Sequence, residues 1–399
     1  YVDNNSLSND LTLSVDQNIP FLGGTLSLQS SLSRLDQFNY DLQTYNTVPL
    51  ILNYTQPIRA YNALKWRKKT APLQYENAQR AYLETMQDIT INVTNLFFTV
   101  LSAQENYRQS VADYEDRKHL FEIAKKRLDL GTTTKSEVLQ MELSLLNAKM
   151  SVNSTSLTLR TQLFSLFSYL RIVDYGDIEL LPPYYMPEIE MNAEQVLDKA
   201  WTGSSHSIEQ QLNLLESQRA LAEAKANRGL QVEFRGRLGL SQSANELPAA
   251  YRRLKDYETV GLTMTIPIYD WGMGRGKVRM AKTDVEITKT QIEQANIEFA
   301  HDVRTKVMQF NNQAEQCKTS LRAQDIAAER YDIMKKRFEN GSVTVTELNT
   351  AQEEFESAQH QYISQLQQFW TDYYGIQKLT LYDFIRKENI GVNFNDLVN

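Results

Sequence analysis

The sequence predicts an α+β membrane protein, mostly α, built from two internal repeats, and three observations lead there. The stretch Lys125-Lys126-Arg127-Leu128-Asp129-Leu130-Gly131-Thr132-Thr133-Thr134-Lys135-Ser136-Glu137 returns as Lys335-Lys336-Arg337-Phe338-Glu339-Asn340-Gly341-Ser342-Val343-Thr344-Val345-Thr346-Glu347. Gln56-Pro57-Ile58 returns as Ile266-Pro267-Ile268, and 267 minus 57 equals 341 minus 131, both 210. Two matched anchors at one offset mark a duplicated structural unit. Four regions alternate apolar and polar residues with period two, as strands with unlike faces do. After each strand region the apolar spacing turns heptad-like and stays so for a long way, which predicts long packed helices.

Composition favours this reading over compact domains. Of 399 residues only 42% are hydrophobic, and the mean hydropathy is -0.47. Glycine (15) and proline (9) cluster around 20–24, 176–187 and 229–276, leaving the stretches between free of helix breakers.

The elements follow in order. Leu11, Leu13 and Val15, with Leu26 and Leu28 across Gly23-Gly24, then Leu50, Leu52 and Tyr54, are the strand signals of the first repeat. A helical hairpin turns at Gly131: Lys125, Lys126 and Arg127 suit the helix C-terminus, the glycine supplies a left-handed cap, and Thr134-x-x-Glu137 is a capping box for the return. Val138, Met141, Leu145, Ala148, Val152, Leu159, Leu166 and Leu170 stripe that return. Pro182-Pro183 and Pro187 then break the rod, and a new helix starts at Asn192. Leu230, Val232, Phe234, Leu238 and Leu240 alternate against Gln231, Glu233, Arg235 and Arg237; Val260, Leu262, Met264, Ile266 and Ile268 form the next strand. The second hairpin carries a stripe through Val285, Phe299, Val303, Phe310 and Cys317 and turns at Gly341, with Thr344-x-x-Glu347 as its capping box. Its stripe resumes through Leu348, Ala351, Phe355, Leu366, Phe369 and Tyr373. The longer arms, roughly 60 to 65 residues, would reach about 90 Å.

The expected organisation is a first repeat over 1–191, with strands 1–56, helical hairpin 57–171 and linker 172–191. The second repeat spans 192–399, with helix 192–229, strands 230–268, hairpin 269–374 and a C-terminal segment 375–399. Pro57, Pro267 and Gly272 are the expected strand-to-helix joints. The second repeat has a helix before its strands and the first does not, so an N-terminal helix and any export signal are expected to precede Tyr1.

The charge and residue inventory excludes several classes. A net charge of -7 and the absence of any long basic run argue against nucleic acid. One cysteine, Cys317, permits no internal disulfide, and four scattered histidines suggest no metal site. Cys317 reads as a packing residue. Gly272-Met273-Gly274-Arg275-Gly276-Lys277 resembles a phosphate loop in placement but lacks the glycine at Trp271 and the hydroxyl at Val278, so its glycines read as a flexible joint. The ten methionines form no close pairs at ligand spacing and read as packing. No cofactor and no catalysis are expected.

Four amphipathic strands leave two open edges, which self-association would close. Three copies would supply twelve strands for a membrane barrel, continued by a tube of helices, together a hollow duct. Here the residues resemble a known family, the TolC-like outer-membrane efflux ducts, and more narrowly their Bacteroidetes-type members. The resemblance lies in Gln17-Asn18-Ile19-Pro20-Phe21 with Gly23-Gly24, Tyr61-Asn62-Ala63-Leu64-Lys65-Trp66, Pro267-Ile268-Tyr269-Asp270-Trp271-Gly272, and above all the paired turns at Gly131 and Gly341. It implies a homotrimer with an outer-membrane β-barrel, a periplasmic α-helical barrel and an equatorial belt at 174–191 and 375–399. It further implies a periplasmic adaptor docked on the hairpin tips, Gly131, Thr132, Thr133, Gly341, Ser342 and Val343, linking the duct to an inner-membrane pump.

The same resemblance makes Glu137, Glu347 and Phe338 candidate gate residues. Phe338 and Val343 stand where better-known members have a locking tyrosine and arginine, and Thr350 stands where a second lumen carboxylate is expected, so the lock should differ here. Glu137 and Glu347 also read simply as capping-box partners. Glu233, Arg235 and Arg237 are the candidate barrel-lumen side chains, with a solvated strand face as the plainer reading. A type I protein-secretion duct is the alternative within this architecture. A soluble coiled-coil scaffold is the alternative of another class, and it leaves the strand alternation unexplained.

Overall fold

The computed structural model describes residues 5–174, 176, 178–183, 186–339 and 342–394. Its elements through Thr380 are β1 (Ser6–Ile19), β2 (Gly24–Gln37), β3 (Leu42–Arg59), α1 (Ala63–Asp129), α2 (Lys135–Tyr169), α3 (Ala193–Gly203), α4 (His206–Asn227), β4 (Gln231–Ala244), the single turn α5 (Leu247–Ala250), β5 (Lys255–Thr265), α6 (Met273–Glu339) and α7 (Val345–Thr380). Two compact units result, Tyr1–Ala78 with His206–Asn296, and Gln79–Ser205 with Ile297–Asn399. No helix among the described residues is long and apolar enough to cross a membrane.

The first unit is built on one antiparallel sheet in the order β1-β2-β3-β4-β5. It has five strands where four were expected. Leu11–Val15 and Leu26–Leu28 belong to two separate strands, paired without slippage from Ser6↔Gln37 to Ile19↔Gly24. The turn between them closes because Gly23, at φ 77°, takes the left-handed conformation and donates its N–H to the Ile19 carbonyl at 2.8 Å. A Cβ on Gly24 would lie 2.9 Å from the Thr55 carbonyl oxygen, so the glycine pair also serves close approach. The 210-residue offset carries β2 and β3 onto β4 and β5, but it carries β1 onto the C-terminal half of α4. Hence β1 lies outside the duplicated unit, and a repeat-based count misses it.

Strand register sorts the side chains into two faces. Val15, Leu28, Leu52 and Leu238 share one rung, and Leu26, Tyr54, Gly236 and Val260 share another. With Leu11, Leu13, Leu32, Leu50, Phe234, Leu240, Leu262 and Met264 they make a largely apolar face, interrupted by Gln17 beside Leu26 and by Glu258 and Asp256 beside Leu238 and Leu240. Leu11 at 72%, Val15 at 65% and Val260 at 77% are openly exposed, and Leu26, Leu32, Tyr54, Phe234 and Leu240 are half-buried. The opposite face carries Asp10, Thr12, Ser14, Asp16, Ser27, Gln29, Asn53, Thr55, Glu233, Arg235, Arg237, Thr259 and Thr263. In both pairings of β3 the register slips around Pro49, a bulge that suits a residue with no N–H for the ladder.

The second unit is helical. Its α1 and α7 run antiparallel and are tied by a polar ladder: Asp88 to Lys378 at 2.7 Å, Asn95 to Gln367 at 3.1 Å and Thr371 at 3.0 Å, Glu105 to Gln359 at 3.1 Å, Asp113 to Gln352 at 2.8 Å. On its other side α1 meets α2 through Ser110–Thr155 (2.7 Å) and Arg117–Ser144 (2.6 Å). On its other side α7 meets α6 through Gln313–Gln365 (2.6 Å) and the stacked rings of Tyr331 and Phe355. These pairings run in the order α2-α1-α7-α6, and α6 also meets α1 directly, Cys317 clustering with Phe98 and Leu101. The many amides of this sequence act as rungs between helices, while Phe98, Leu101, Val303, Phe310, Cys317, Leu366, Phe369 and Tyr373 fill the core. Burial pushes the Cys317 thiol up to about 11, as fits an inert packing residue.

Four boundaries differ from expectation, the first being β5, which ends at Thr265 and leaves Ile266 and Ile268 outside the strand. The single helix expected over 192–229 is two, α3 and α4, broken at Ser204-Ser205. There Glu84 accepts from the Ser205 N–H (2.7 Å) and hydroxyl (3.0 Å), and Arg80 donates to the Ser204 carbonyl at 2.7 Å. Gly203 is forced by a close approach, since a Cβ would fall 2.0 Å from the Thr380 carbonyl oxygen. Helix α7 continues to Thr380 rather than ending at 374, and Leu381, at φ 47°, then turns the chain into a small hairpin of Tyr382–Asp383 with Glu388–Asn389. Pro57 lies inside β3 instead of after it. The described part of 172–191 has neither helix nor strand. Two side-chain amides hold it, Gln104 clipping both backbone groups of Leu180 (2.8 and 2.9 Å) and Asn311 clipping those of Met191 (3.0 and 2.9 Å).

Candidate functional site

The first hairpin turn is a complete Schellman closure. Gly131, at φ 70°, donates to the Leu128 carbonyl and Thr132 to the Arg127 carbonyl, each at 2.9 Å. Thr134 then opens α2: its hydroxyl accepts from the Glu137 N–H at 3.2 Å, and the Glu137 carboxylate accepts from the Thr134 N–H at 3.1 Å and from the Thr133 hydroxyl. The second turn repeats this chemistry. Ser342 donates to the Arg337 carbonyl at 2.9 Å, and Thr344 and Glu347 exchange bonds of 2.7 and 3.3 Å. Gly341 lies outside the described residues. Thr132 and Ser342 are exposed, and Thr133 and Val343 are half-buried.

Both expected capping boxes are present, and they occupy the candidate gate carboxylates. Bonds from the Thr133 hydroxyl and the Thr134 backbone hold Glu137 below the ordinary carboxylate range; the Thr344 backbone and hydroxyl do the same for Glu347. Each acid serves its own turn. Phe338 is half-buried and borders a small crevice with Leu120, Tyr331 and Leu348.

The nearest inter-hairpin tie above the turns lies elsewhere, at residues the sequence did not single out. Lys335 reaches both oxygens of Asp116 at 2.9 Å, and the Tyr331 hydroxyl donates to the same carboxylate at 3.3 Å. One turn away Asp113 takes a two-oxygen bond from Arg117 (2.8 and 2.9 Å) and a third from Gln352. A polar cavity of about 360 Å3 opens there, lined by Asp113, Arg117, Thr155, Gln352, Glu356 and His360. The Asp113–Arg117 spacing of four was the one visible signal. The partners from α6 and α7 come from more than 200 positions away, where no local pattern reaches.

In the sheet, Glu233, Arg235 and Arg237 all lie on the polar face, Arg235 paired with Glu233, and Arg237 on a rung with Asn53. At the joints, Gly272 takes φ 83° and Asp270 caps α6 by accepting from the Gly272 (3.0 Å) and Gly274 (2.7 Å) N–H groups. A Cβ on Gly274 would sit 2.6 Å from the Asp270 carboxylate and 3.1 Å from Arg228. The glycine cluster thus makes a capped turn between β5 and α6. Asn62, at the equivalent of Gly272, accepts from the Lys65 N–H at 2.9 Å and opens α1.

A comparison with curated proteins gives no match. Among solved structures, the fold is similar to the open state of the Neisseria gonorrhoeae MtrE outer membrane channel, 12% identical, covering 98% of this chain and 82% of that one with a TM-score of 0.67. It is similar also to the Campylobacter jejuni CmeC outer membrane channel (13%, 98% and 80%, TM-score 0.66) and to CusC (12%, 95% and 83%, TM-score 0.66). At such identities the likeness is one of fold. The outer membrane efflux protein model, however, matches residues 6–170 and 204–380, both repeats with their strands and hairpins, and the chain belongs to that family.

Proposed function

We propose that this chain is an outer-membrane efflux duct that works as a passive homotrimer, its sheet in the outer membrane and its helices in the periplasm. The observation that carries the reading is the sheet, largely apolar on one face, with Leu11, Leu13, Val15, Val260 and Leu262 exposed there, and mainly polar on the other. A lipid-facing wall around an aqueous lumen needs that division. Glu233, Arg235 and Arg237 then face the lumen.

The trimer is supported by what each copy leaves unpaired. In the order α2-α1-α7-α6 the two outer helices keep exposed apolar stripes. On α2 these are Leu139, Leu143, Leu146, Met150, Leu157 and Phe164, spaced 4, 3, 4, 7 and 7; on α6 they include Ile297, Met308, Ile326 and Ile333. The α2 spacing is that of a coiled-coil seam. Since α2 and α6 run in opposite directions, α2 of one copy against α6 of the next closes a ring in the same antiparallel sense as the pairs within it. The duplicated strands β2 to β5 supply twelve antiparallel strands in three copies, and β1, paired along the outer edge of β2, adds to that wall. The rigid turns at Gly131–Thr133 and Ser342–Val343 are the docking points for a periplasmic adaptor, which couples the duct to an inner-membrane pump.

Light scattering of the full chain in detergent and in plain buffer tests this. A trimer that requires detergent is expected; a detergent-independent monomer or dimer would replace the duct with a soluble coiled-coil scaffold.

A further inference from the structure

The chain carries a net charge of -7, yet one band of it is strongly basic. Residues 57–75, 224–230 and 266–283 contain eleven lysines and arginines, among them Arg59, Lys65, Arg67, Arg228, Arg275 and Lys277, against one acid, Asp270. Sheet register brings these stretches to one end: Arg59 pairs with Val232, Val232 with Met264, and Gln231 follows directly on α4. The β1–β2 turn is at the same end, where Asn62 donates to the Pro20 carbonyl at 3.2 Å.

The band is not neutralised within the unit. Its ion pairs join Arg34 to Asp36, Arg219 to Glu216, Arg235 to Glu233 and Lys289 to Glu286. Among the described residues none reaches the exposed cations at 65, 67, 68, 69, 275, 277, 279 or 282. Neither α1 nor α6 has an acidic residue in its first turn; α6 has the Asp270 carboxylate at its cap, whereas α1 is capped by the neutral Asn62 and carries Lys65 in its first turn. At α1 that placement opposes helix stability unless an external anion offsets it. Between the cations and the apolar face lie bare aromatic side chains, Phe21 at 90% exposure, Trp271 at 83% and Tyr269 at 72%, the last two in edge contact.

We propose that this end of the sheet is a collar for anionic phospholipid. The aromatic residues sit at the boundary between acyl chains and headgroups, and the cations behind them bind lipid phosphates in the leaflet on the side where the helices leave the sheet. The order apolar face, aromatic rim, unpaired cations runs along β5 into α6, through Tyr269 and Trp271 to Arg275 and Lys277, with Phe21 at the same end, and it matches the layering of a membrane interface. The proposal rests on the reading of the sheet as membrane-embedded. It adds a lipid charge preference that this reading does not require.

The test uses the full chain reconstituted in phosphatidylcholine bilayers, with tryptophan fluorescence quenched by brominated phosphatidylglycerol or brominated phosphatidylcholine. Trp66 and Trp271 lie in the collar and report the local lipid. Phosphatidylglycerol is expected to compete roughly five-fold better than phosphatidylcholine, the value of about one bound cation. The preference should shrink toward one-fold in 0.5 M salt, and in a variant with Lys65, Arg67, Lys68, Lys69, Arg275 and Lys277 all replaced by Gln. An equal competition in the native protein, or a preference that survives both salt and the variant, overturns the collar. The salt titration decides even if the variant fails to fold. If neither brominated lipid quenches, the embedded sheet itself is wrong, an outcome distinct from losing the charge preference alone.

Discussion

Placing an arginine at Val15 should cost far more than placing one at Ser14, its immediate neighbour. Val15 shares a rung with Leu28, Leu52 and Leu238 and stands midway along β1 between Leu11 and Ile19, so it lies well inside the apolar belt. Ser14 pairs with Gln29 on the polar face. An arginine on the lipid face costs about 2–4 kcal/mol near the bilayer midplane, and lumen positions tolerate charge. At about 1.4 kcal/mol per factor of ten, Val15→Arg should shift the unfolding equilibrium by roughly 30- to 1000-fold. Ser14→Arg should stay within about 1 kcal/mol of the parent. Equilibrium urea unfolding from phosphatidylcholine vesicles, followed by tryptophan fluorescence, measures both. In water the order would invert or vanish, because Val15 is already 65% exposed and little packing is lost by replacing it. Equal costs for the two variants would refute the claim that the Leu11–Val15 face meets lipid.

Three further outcomes concern the turns and the α3–α7 contact. Gly131→Ala, forcing a Cβ into φ 70°, should cost about 1 kcal/mol locally and reduce export in cells, while the trimer mass in detergent is unchanged. Lowered carboxylate pKa values make the caps of Glu137 and Glu347 fully effective above the ordinary carboxylate range, with their contribution lost as pH falls through the depressed values. Hydrogen exchange at the Thr134 and Thr344 amides should therefore lose protection in acid, and Glu137→Gln should abolish that pH dependence at the first turn only. Gly203→Ala, with a Cβ 2.0 Å from the Thr380 carbonyl oxygen, should destabilise by roughly 3 kcal/mol or shift the end of α7, read by thermal unfolding.

What the sequence made legible followed its local chemistry. The hairpin turns were readable because glycine, threonine and glutamate at fixed offsets determine a cap without help from distant residues, and both caps form as read. Helix lengths were readable because apolar spacing persists between breakers; the long arms come out at 67 residues each. Strand count was not, because β1 has no repeat partner and the apolar alternation continues across Gly23-Gly24. The α3–α4 break was hidden for a related reason. Ser204-Ser205 is compatible with helix, and only Glu84 and Arg80, brought in by tertiary packing, capture its backbone. The same distance hid the Asp116–Lys335–Tyr331 tie. A carboxylate at a predicted gate position was easy to name, yet its nearest donors turned out to be its own turn's threonines.

Strand direction constrains assembly further than strand count does. The antiparallel order β1-β2-β3-β4-β5 leaves β1 and β5 running the same way at the two edges. Rotation about a barrel axis preserves direction, so β5 of one copy set directly against β1 of the next would make a parallel seam. Bacterial outer-membrane barrels are antiparallel throughout, and parallel pairing is the less stable per residue. The duplicated four, β2 to β5, begin and end on strands of opposite direction, as the helical layer does with α2 and α6, but β1 holds the outer edge of β2. Strand β1, with Leu11, Leu13 and Val15 on the lipid face, enters such a wall only with an oppositely directed strand between it and the neighbour's β5. Cysteines test the point. In a Cys317→Ala background, with cysteine at Thr12, Ser14 or Asp16 combined with cysteine at Thr259, no disulfide is expected between copies, because an intervening strand puts the Cα atoms about 10 Å apart, beyond bridging distance. Efficient cross-linking at any of the three would establish the parallel seam and overturn the antiparallel closure.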